Sequence, residues 1–142
     1  MRLCFFNDHA VGLVDGDHVL DVSSVLASLP PATYPYPTHD RFIAALPSLR
    51  GEIMEAAAAV AVHQLSAVKL LSPVLNPGKI VAAPVNYMKH FEEALADPAT
   101  FSAAHARKIQ ETGLFLKATS SLIGASHPIV IHHPDRRTDH EI

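Results

Sequence analysis

The sequence predicts an α+β fold in two parts, residues 1–72 and 73–142, with the division falling near Leu71–Pro77. Three observations predict it. Residues 2–6 (RLCFF), 10–14 (AVGLV) and 18–22 (HVLDV) are short β-forming segments, separated by Asn7-Asp8 and Asp15-Gly16-Asp17, which have turn chemistry. Ile53, Ala57, Val60 and Ala61 recur at helical spacing in an alanine-rich stretch. Gly78 to Ala94 (GKIVAAPVNYMKHFEEA) then joins an apolar strand to a helix.

Bulk composition narrows the function classes. With 142 residues, 49% apolar and 18% charged, the chain has the make-up of a globular protein and not of a disordered one. A net charge of −3 gives no electrostatic reason to expect nucleic acid or an anionic membrane as partner. No apolar run approaches the roughly 20 residues that span a bilayer. The opening MRLCFFNDHAV lacks the long apolar core and cleavage site of a secretory signal. A single cysteine, Cys4, permits no internal disulfide and suits a reducing cytoplasm. Its neighbours Leu3 and Phe5 favour a buried structural thiol.

Taken in order, the first three segments form an antiparallel meander. Ser23-Ser24 offers a cap for a short helix through Leu29. Pro30-Pro31 and Tyr34-Pro35-Tyr36-Pro37 make a stiff, extended surface connector. Thr38 or His39-Asp40 caps a helix carrying Phe42, Ile43 and Leu46, and a second helix runs from about Leu49 to Leu65. Val68 to Leu71 returns as a strand. After the Pro77-Gly78 turn, Ile80–Ala83 reads as a buried strand that Pro84 ends, and Asn86 has the side chain to cap a helix over Tyr87–Ala94. Asp97-Pro98 breaks that helix, and another runs from Thr100 to about Thr112, where Gly113 stops it. Leu114–Lys117 and Pro128–Ile131 are strands either side of a polar loop containing Thr119-Ser120-Ser121 and Gly124. His132-His133-Pro134-Asp135 then turns the chain into Thr138–Ile142, which looks like the start of a strand with no stop signal. The expectation is therefore that the sequence is an N-terminal piece of something longer.

Three places could carry chemistry. His90 and Glu93 stand three residues apart, on one helix face, as a general base and its orienting partner or as a solvated ion pair. Strand alternation puts Asp139 and Glu141 on one face, where two carboxylates suit a hard cation such as Mg²⁺ or else form a solvated edge. A zinc site from His132, His133 and His140 fits less well, because neighbouring histidines on a strand point to opposite faces. Lys117, at the end of an apolar strand, could hold a substrate carboxylate or a forming enolate, or could snorkel over the core.

The succession PGKIVAAPVNYMKHFEEA, GLFLKATSSLIGASHPIVI and TDHEI resembles the N-terminal half of the fumarylacetoacetate hydrolase family. That family has a PGKI strand, an NY-x-x-H-x-x-E helix segment, an FLK strand, a Ser-rich loop before a Pro-Ile strand, and a D-x-E-x-E metal strand. The opening meander is similar to the family's small N-terminal domain, and the match spans nearly the whole chain. The resemblance implies a mixed β-roll catalytic domain over 73–142, incomplete here, and usually a homodimer. It implies that His90 activates water with Glu93 as its partner, that Tyr87 and Lys117 contact substrate, and that Glu141 is the first carboxylate of an Mg²⁺ or Mn²⁺ site with Asp139 a neighbour and not a ligand. The family's second glutamate would fall just after Ile142. Ala83-Pro84-Val85 stands where many members carry Gly-Arg, which bears on substrate preference. The implied activity is hydrolysis of a C–C bond in a β-diketo acid or acylpyruvate. Isomerase and decarboxylase chemistry through a metal-stabilised enolate stays open, as does a non-catalytic fragment or interaction module.

Overall fold

The computed structural model describes residues 1–96, 111 and 113–136. They fall into two compact units: Met1–Leu75 together with the segment that begins at Ile123, and Asn76–Leu122. The expected strand at Thr138–Ile142 lies outside the described residues, as does the expected Thr100–Thr112 helix apart from Glu111. No helix among the described residues is long and apolar enough to cross a membrane.

The first unit is built on a four-stranded antiparallel sheet, β1 (Leu3–Phe6), β2 (Ala10–Asp15), β3 (His18–Asp21) and β4 (Val62–Gln64), in that spatial order. The meander is as the sequence predicts. Gly16, with φ +55°, opens the two-residue connection between β2 and β3, and Asp15 faces His18 across it. Glycine takes that backbone conformation at no steric cost.

Both faces of this sheet are covered, which is why its strands are nearly continuous apolar runs and not simple alternations. On one face Phe5 pairs with Val11 and Leu13 with Leu20. These residues pack with Val22, Val25, Phe42, Leu49 and Ile53. On the other face Phe6 and Val19 bury with Val68, and Cys4 and Val14 pack against them. Gly12 opposes Cys4 on this second face, where an added Cβ would drive into Val19 Cγ1 and Cys4 Sγ.

Helix α1 (Arg41–Ala56) covers the first face. Asp40 is its N-cap: one carboxylate oxygen accepts from the Ile43 N–H at 3.1 Å, and the other accepts from the Leu75 N–H at 3.1 Å. The two helices expected around Pro47 are one. An interior proline costs about 3 kcal/mol. Burying Phe42, Leu49 and Ile53 along one stripe returns roughly 1.5–3 kcal/mol each, so packing carries the helix through.

The far end of that helix corrects the sequence reading in the opposite direction. The helix stops at Ala56, a 3₁₀ turn covers Ala57–Ala59, and Val60 is extended at φ −120° and ψ 170°. Val62–Gln64 forms β4 against β3 instead of continuing the helix to Leu65. Alanine propensity favours helix by only tenths of a kcal/mol per residue, and the open edge of β3 offers a ladder. The chain then crosses to the other edge of the sheet. There Phe6 bridges Leu70, and the Leu71 N–H donates to the Phe5 carbonyl at 2.9 Å. Val68–Leu71 is thus extended along β1, by a single bridge.

Ser23 also differs from its expected role. The 3₁₀ segment Ser23–Ser28 has Val22 in the capping position and no side-chain cap. Ser23 Oγ instead accepts from the Val11 N–H at 2.9 Å, tying the segment to β2.

The segment from Ile123 belongs to this unit through a tight clasp. The Leu70 N–H donates to Ser126 Oγ at 3.0 Å, and the Ser126 N–H donates back to the Leu70 carbonyl at 3.2 Å. Gly124 is buried there, with 2.6 Å between an ideal Cβ and Leu71 Cα, so no side chain fits. The Gly124 N–H donates to His127 Nδ1 at 3.1 Å.

In the second unit, β5 (Ile80–Ala82) pairs antiparallel with β6 (Phe115–Lys117), and α2 spans Met88–Ala96. Neither β5 nor the Pro128–Ile131 run is the buried strand the sequence predicts. Val81 is exposed on β5, and Ile129, Val130 and Ile131 are 72%, 67% and 54% exposed outside any regular element. An apolar run marks a need for burial, and these two runs find little cover among the described residues.

Two measurements test this account. Asp40→Ala removes a cap and leaves the Leu75 N–H without its carboxylate partner, and should cost about 1–2 kcal/mol by urea denaturation. Loss of less than a few tenths would contradict the double role. Cys4 ionises above the ordinary thiol range because burial disfavours the thiolate, partly offset by a backbone hydrogen bond from Gly12. The folded chain therefore keeps this proton to higher pH than the unfolded chain does. Stability should be full below the unfolded thiol's pKa and be lost as pH rises from there through the higher folded one. Cys4→Ala should flatten that decline, and an unchanged slope would count against the half-buried thiol as its source.

Candidate active site

The candidate residues that can be placed lie in the second unit, on α2 and β6. After β5 the chain runs through Ala83-Pro84-Val85-Asn86 and enters α2 at Met88. The Phe91 N–H donates to the Tyr87 carbonyl at 3.1 Å, so Tyr87, one residue beyond the expected Asn86, holds the capping position. Assignments of helix ends differ by this much routinely.

That placement has a consequence for His90. Tyr87 and His90 are three residues apart, and their rings lie 5.3 Å apart at 42°. The imidazole is half-buried, while Tyr87 stays exposed. Glu93 shares α2 with His90 at i+3, and its carboxylate stands 4.0 Å from the ammonium of Lys89. Both members of that ion pair are exposed, so it contributes no more than about 0.5 kcal/mol. Lys89 is a partner that attention to the i,i+3 spacing misses, although its i,i+4 relation to Glu93 was visible in the sequence.

Lys117 lies opposite Ile80 in the β5–β6 register, and Phe115 lies opposite Ala82, where the strand leads towards α2. Lysine and phenylalanine share a strand face. The Lys117 ammonium sits 5.9 Å from the centre of the Phe115 ring, at the long end of cation–π range. The lysine is exposed to solvent. Asp139, His140 and Glu141 lie outside the described residues, so the expected metal carboxylate has no position here.

The loop between β5 and α2 contains a residue that no motif flagged. Val85 has φ +37°, in the left-handed region, and is 9% exposed. A β-branched residue rarely takes that conformation, and such strain costs on the order of 1–3 kcal/mol. Burying a valine side chain contributes a comparable roughly 1.5–3 kcal/mol. Nothing in Pro84-Val85-Asn86 announces it, since a positive φ is ordinarily signalled by glycine.

Among the described residues no three of His, Cys, Asp or Glu gather to hold a metal ion. The described residues thus do not make up a metal site by themselves. An open cleft of about 560 Å³ in the first unit, between the sheet and α1 beside Arg50 and Met54, touches none of the predicted site residues.

The order of these segments fits the fumarylacetoacetate hydrolase family. The chain is 46% identical over 144 residues to maleylpyruvate hydrolase of Aquipseudomonas alcaligenes, a match covering 100% of this chain and 50% of that protein. It is also similar to the crystal structure of maleylpyruvate hydrolase from Sphingobium sp. SYK-6 in complex with manganese(II) and pyruvate. That likeness has a TM-score of 0.64 and 34% identity, and covers 92% of this chain and 42% of that one. A second structure of the Sphingobium protein matches with a TM-score of 0.58 and 33% identity, over 87% of this chain and 38% of that one. The chain spans about half the length of the curated relative it matches. No family model matches it.

Proposed function

We propose that this chain carries part of a divalent-metal-dependent hydrolase that cleaves the C–C bond of an acylpyruvate, with maleylpyruvate as the nearest example. The observation that supports this reading most is the 46% identity to a maleylpyruvate hydrolase, sustained over all of this chain. The complex of the Sphingobium protein with manganese(II) and pyruvate supports both the product class and Mn²⁺ as the metal, and Mg²⁺ in its place is part of the proposal. A catabolic enzyme of small oxo-acids belongs in the cytoplasm, and a homodimer is part of the same proposal.

In this reading His90 is the base. Its imidazole takes a proton from water as the oxygen adds to the acyl carbonyl. Collapse of the adduct breaks the bond to the methylene carbon, and the electron pair leaves on pyruvate as its enolate. Return of the proton to that carbon completes the balance: acylpyruvate and water give a carboxylic acid and pyruvate. Tyr87 restricts the ring of His90 from one side. Glu93 is assigned as the acidic partner of His90 and is shared with Lys89. Lys117 supplies positive charge for a substrate carboxylate or the developing enolate. Glu141 is assigned to the metal.

Hydrolysis is preferred to isomerisation or decarboxylation because both named relatives are hydrolases. The test uses a protein of the relatives' full length containing these residues. With maleylpyruvate as substrate, EDTA should abolish turnover and Mn²⁺ should restore it. Metal-independent turnover would overturn the metal assignment. His90→Ala should lower kcat by about 10²–10⁴ while calorimetry shows Mn²⁺ binding unchanged. Undiminished kcat in that variant would remove His90 from the role of base.

A further inference from the structure

We infer that Val85 is a positioning residue: its buried side chain holds the backbone left-handed at the exit of β5, and this sets the Tyr87 cap and the seating of His90. The inference rests on the proposed role of His90 for its functional meaning, but its structural content stands apart from that role.

Three observations converge on this residue. Val85 has φ +37°, a conformation that its branched Cβ opposes. Strain of this kind persists only where the surroundings over-determine it. Val85 is also the only buried apolar side chain in Asn76–Leu122 among the described residues. Most of that unit is open: Val81, Tyr87, Met88, Phe115 and Leu116 are all exposed. The point of firm burial in the unit and its non-glycine positive φ therefore coincide at one residue. Finally, only Asn86 separates Val85 from Tyr87, whose carbonyl accepts the first hydrogen bond of α2 from the Phe91 N–H. A flip of Val85 to negative φ redirects the chain just before Tyr87. Both the cap and the ring contact between Tyr87 and His90 depend on that direction.

A simple packing role and this positioning role predict opposite orders for two substitutions. If Val85 only fills space, alanine should be milder than glycine, since it keeps a Cβ and restricts the unfolded chain more. If the side chain holds an opposed backbone conformation, alanine should be the more damaging. It removes the anchor yet keeps the steric penalty, so the backbone relaxes to negative φ, whereas glycine keeps the left-handed state accessible.

The test compares the wild-type chain, Val85→Gly and Val85→Ala by NMR hydrogen exchange at the Phe91 amide. The ring-current shift that Tyr87 imposes on the His90 imidazole protons is followed alongside. Exchange at Phe91 should quicken about threefold in the glycine variant and about tenfold in the alanine variant, in line with the size of Gly/Ala backbone effects and strain. The His90 shift should be lost in the same order, with amides of the first unit such as Leu13 unchanged. Alanine equal to or milder than glycine, or loss of protection spread evenly over both units, would overturn the inference. These readouts need no turnover. A His90→Ala variant that remains active would defeat the catalytic assignment and leave the anchor standing, whereas Val85→Ala no more damaging than Val85→Gly would defeat the anchor and leave the catalytic assignment standing.

Discussion

The first unit depends on one stripe of α1. Phe42, Leu49 and Ile53 must reach the sheet together, and only an unbroken helix from Arg41 to Ala56 brings all three there. This requirement overrides the local preference of Pro47. It also fixes which face of β1 and β2 is the inner one, since Phe5, Val11 and Leu13 meet the helix and Cys4, Phe6 and Val14 cannot. Once the helix is seated, Asp40 at its start reaches the chain at Leu75, so the same element that closes the core also holds the point where the unit ends. Burial sets the architecture here, and the polar contacts tie its loose ends.

Much of this was legible from residue types alone. The meander could be read because Asp15-Gly16-Asp17 and Asn7-Asp8 are turn formers set between apolar runs. Asp40 could be read as a cap because it precedes a helical apolar pattern. The far end of α1 could not, because Ala56–Ala61 favours helix locally and the competing partner, the edge of β3, is more than forty residues away in sequence. Ser23 departs from its local preference for a similar reason. Its hydroxyl is claimed by Val11, twelve residues back, before it can serve the turn that follows.

The candidate site was legible in a different way. Tyr87 and His90 stand at a spacing that any helix would bring together, and their rings do meet. Lys117 needed the pairing of β6 with β5 to acquire a position, and its contact with Phe115 follows from strand alternation. Val85 was illegible, since no rule of turn chemistry places a valine at positive φ. The Ile129–Ile131 run failed in the other sense: its composition states what the segment needs, not whether it is met among these residues. Sequence pattern therefore reports local preference and hydrophobic demand well, and reports poorly which distant group satisfies them.

The clasp between Leu70 and Ser126 carries a consequence for how the polypeptide is made. Its two partners lie 56 positions apart, and the second unit occupies most of the interval. During translation the first seventy-five residues emerge with the backbone of Leu70 still lacking its serine. At about 5–20 residues per second, several seconds pass before Gly124 and Ser126 leave the ribosome and close that seam. The Met1–Leu75 stretch is thus synthesised well before the segment that completes its unit.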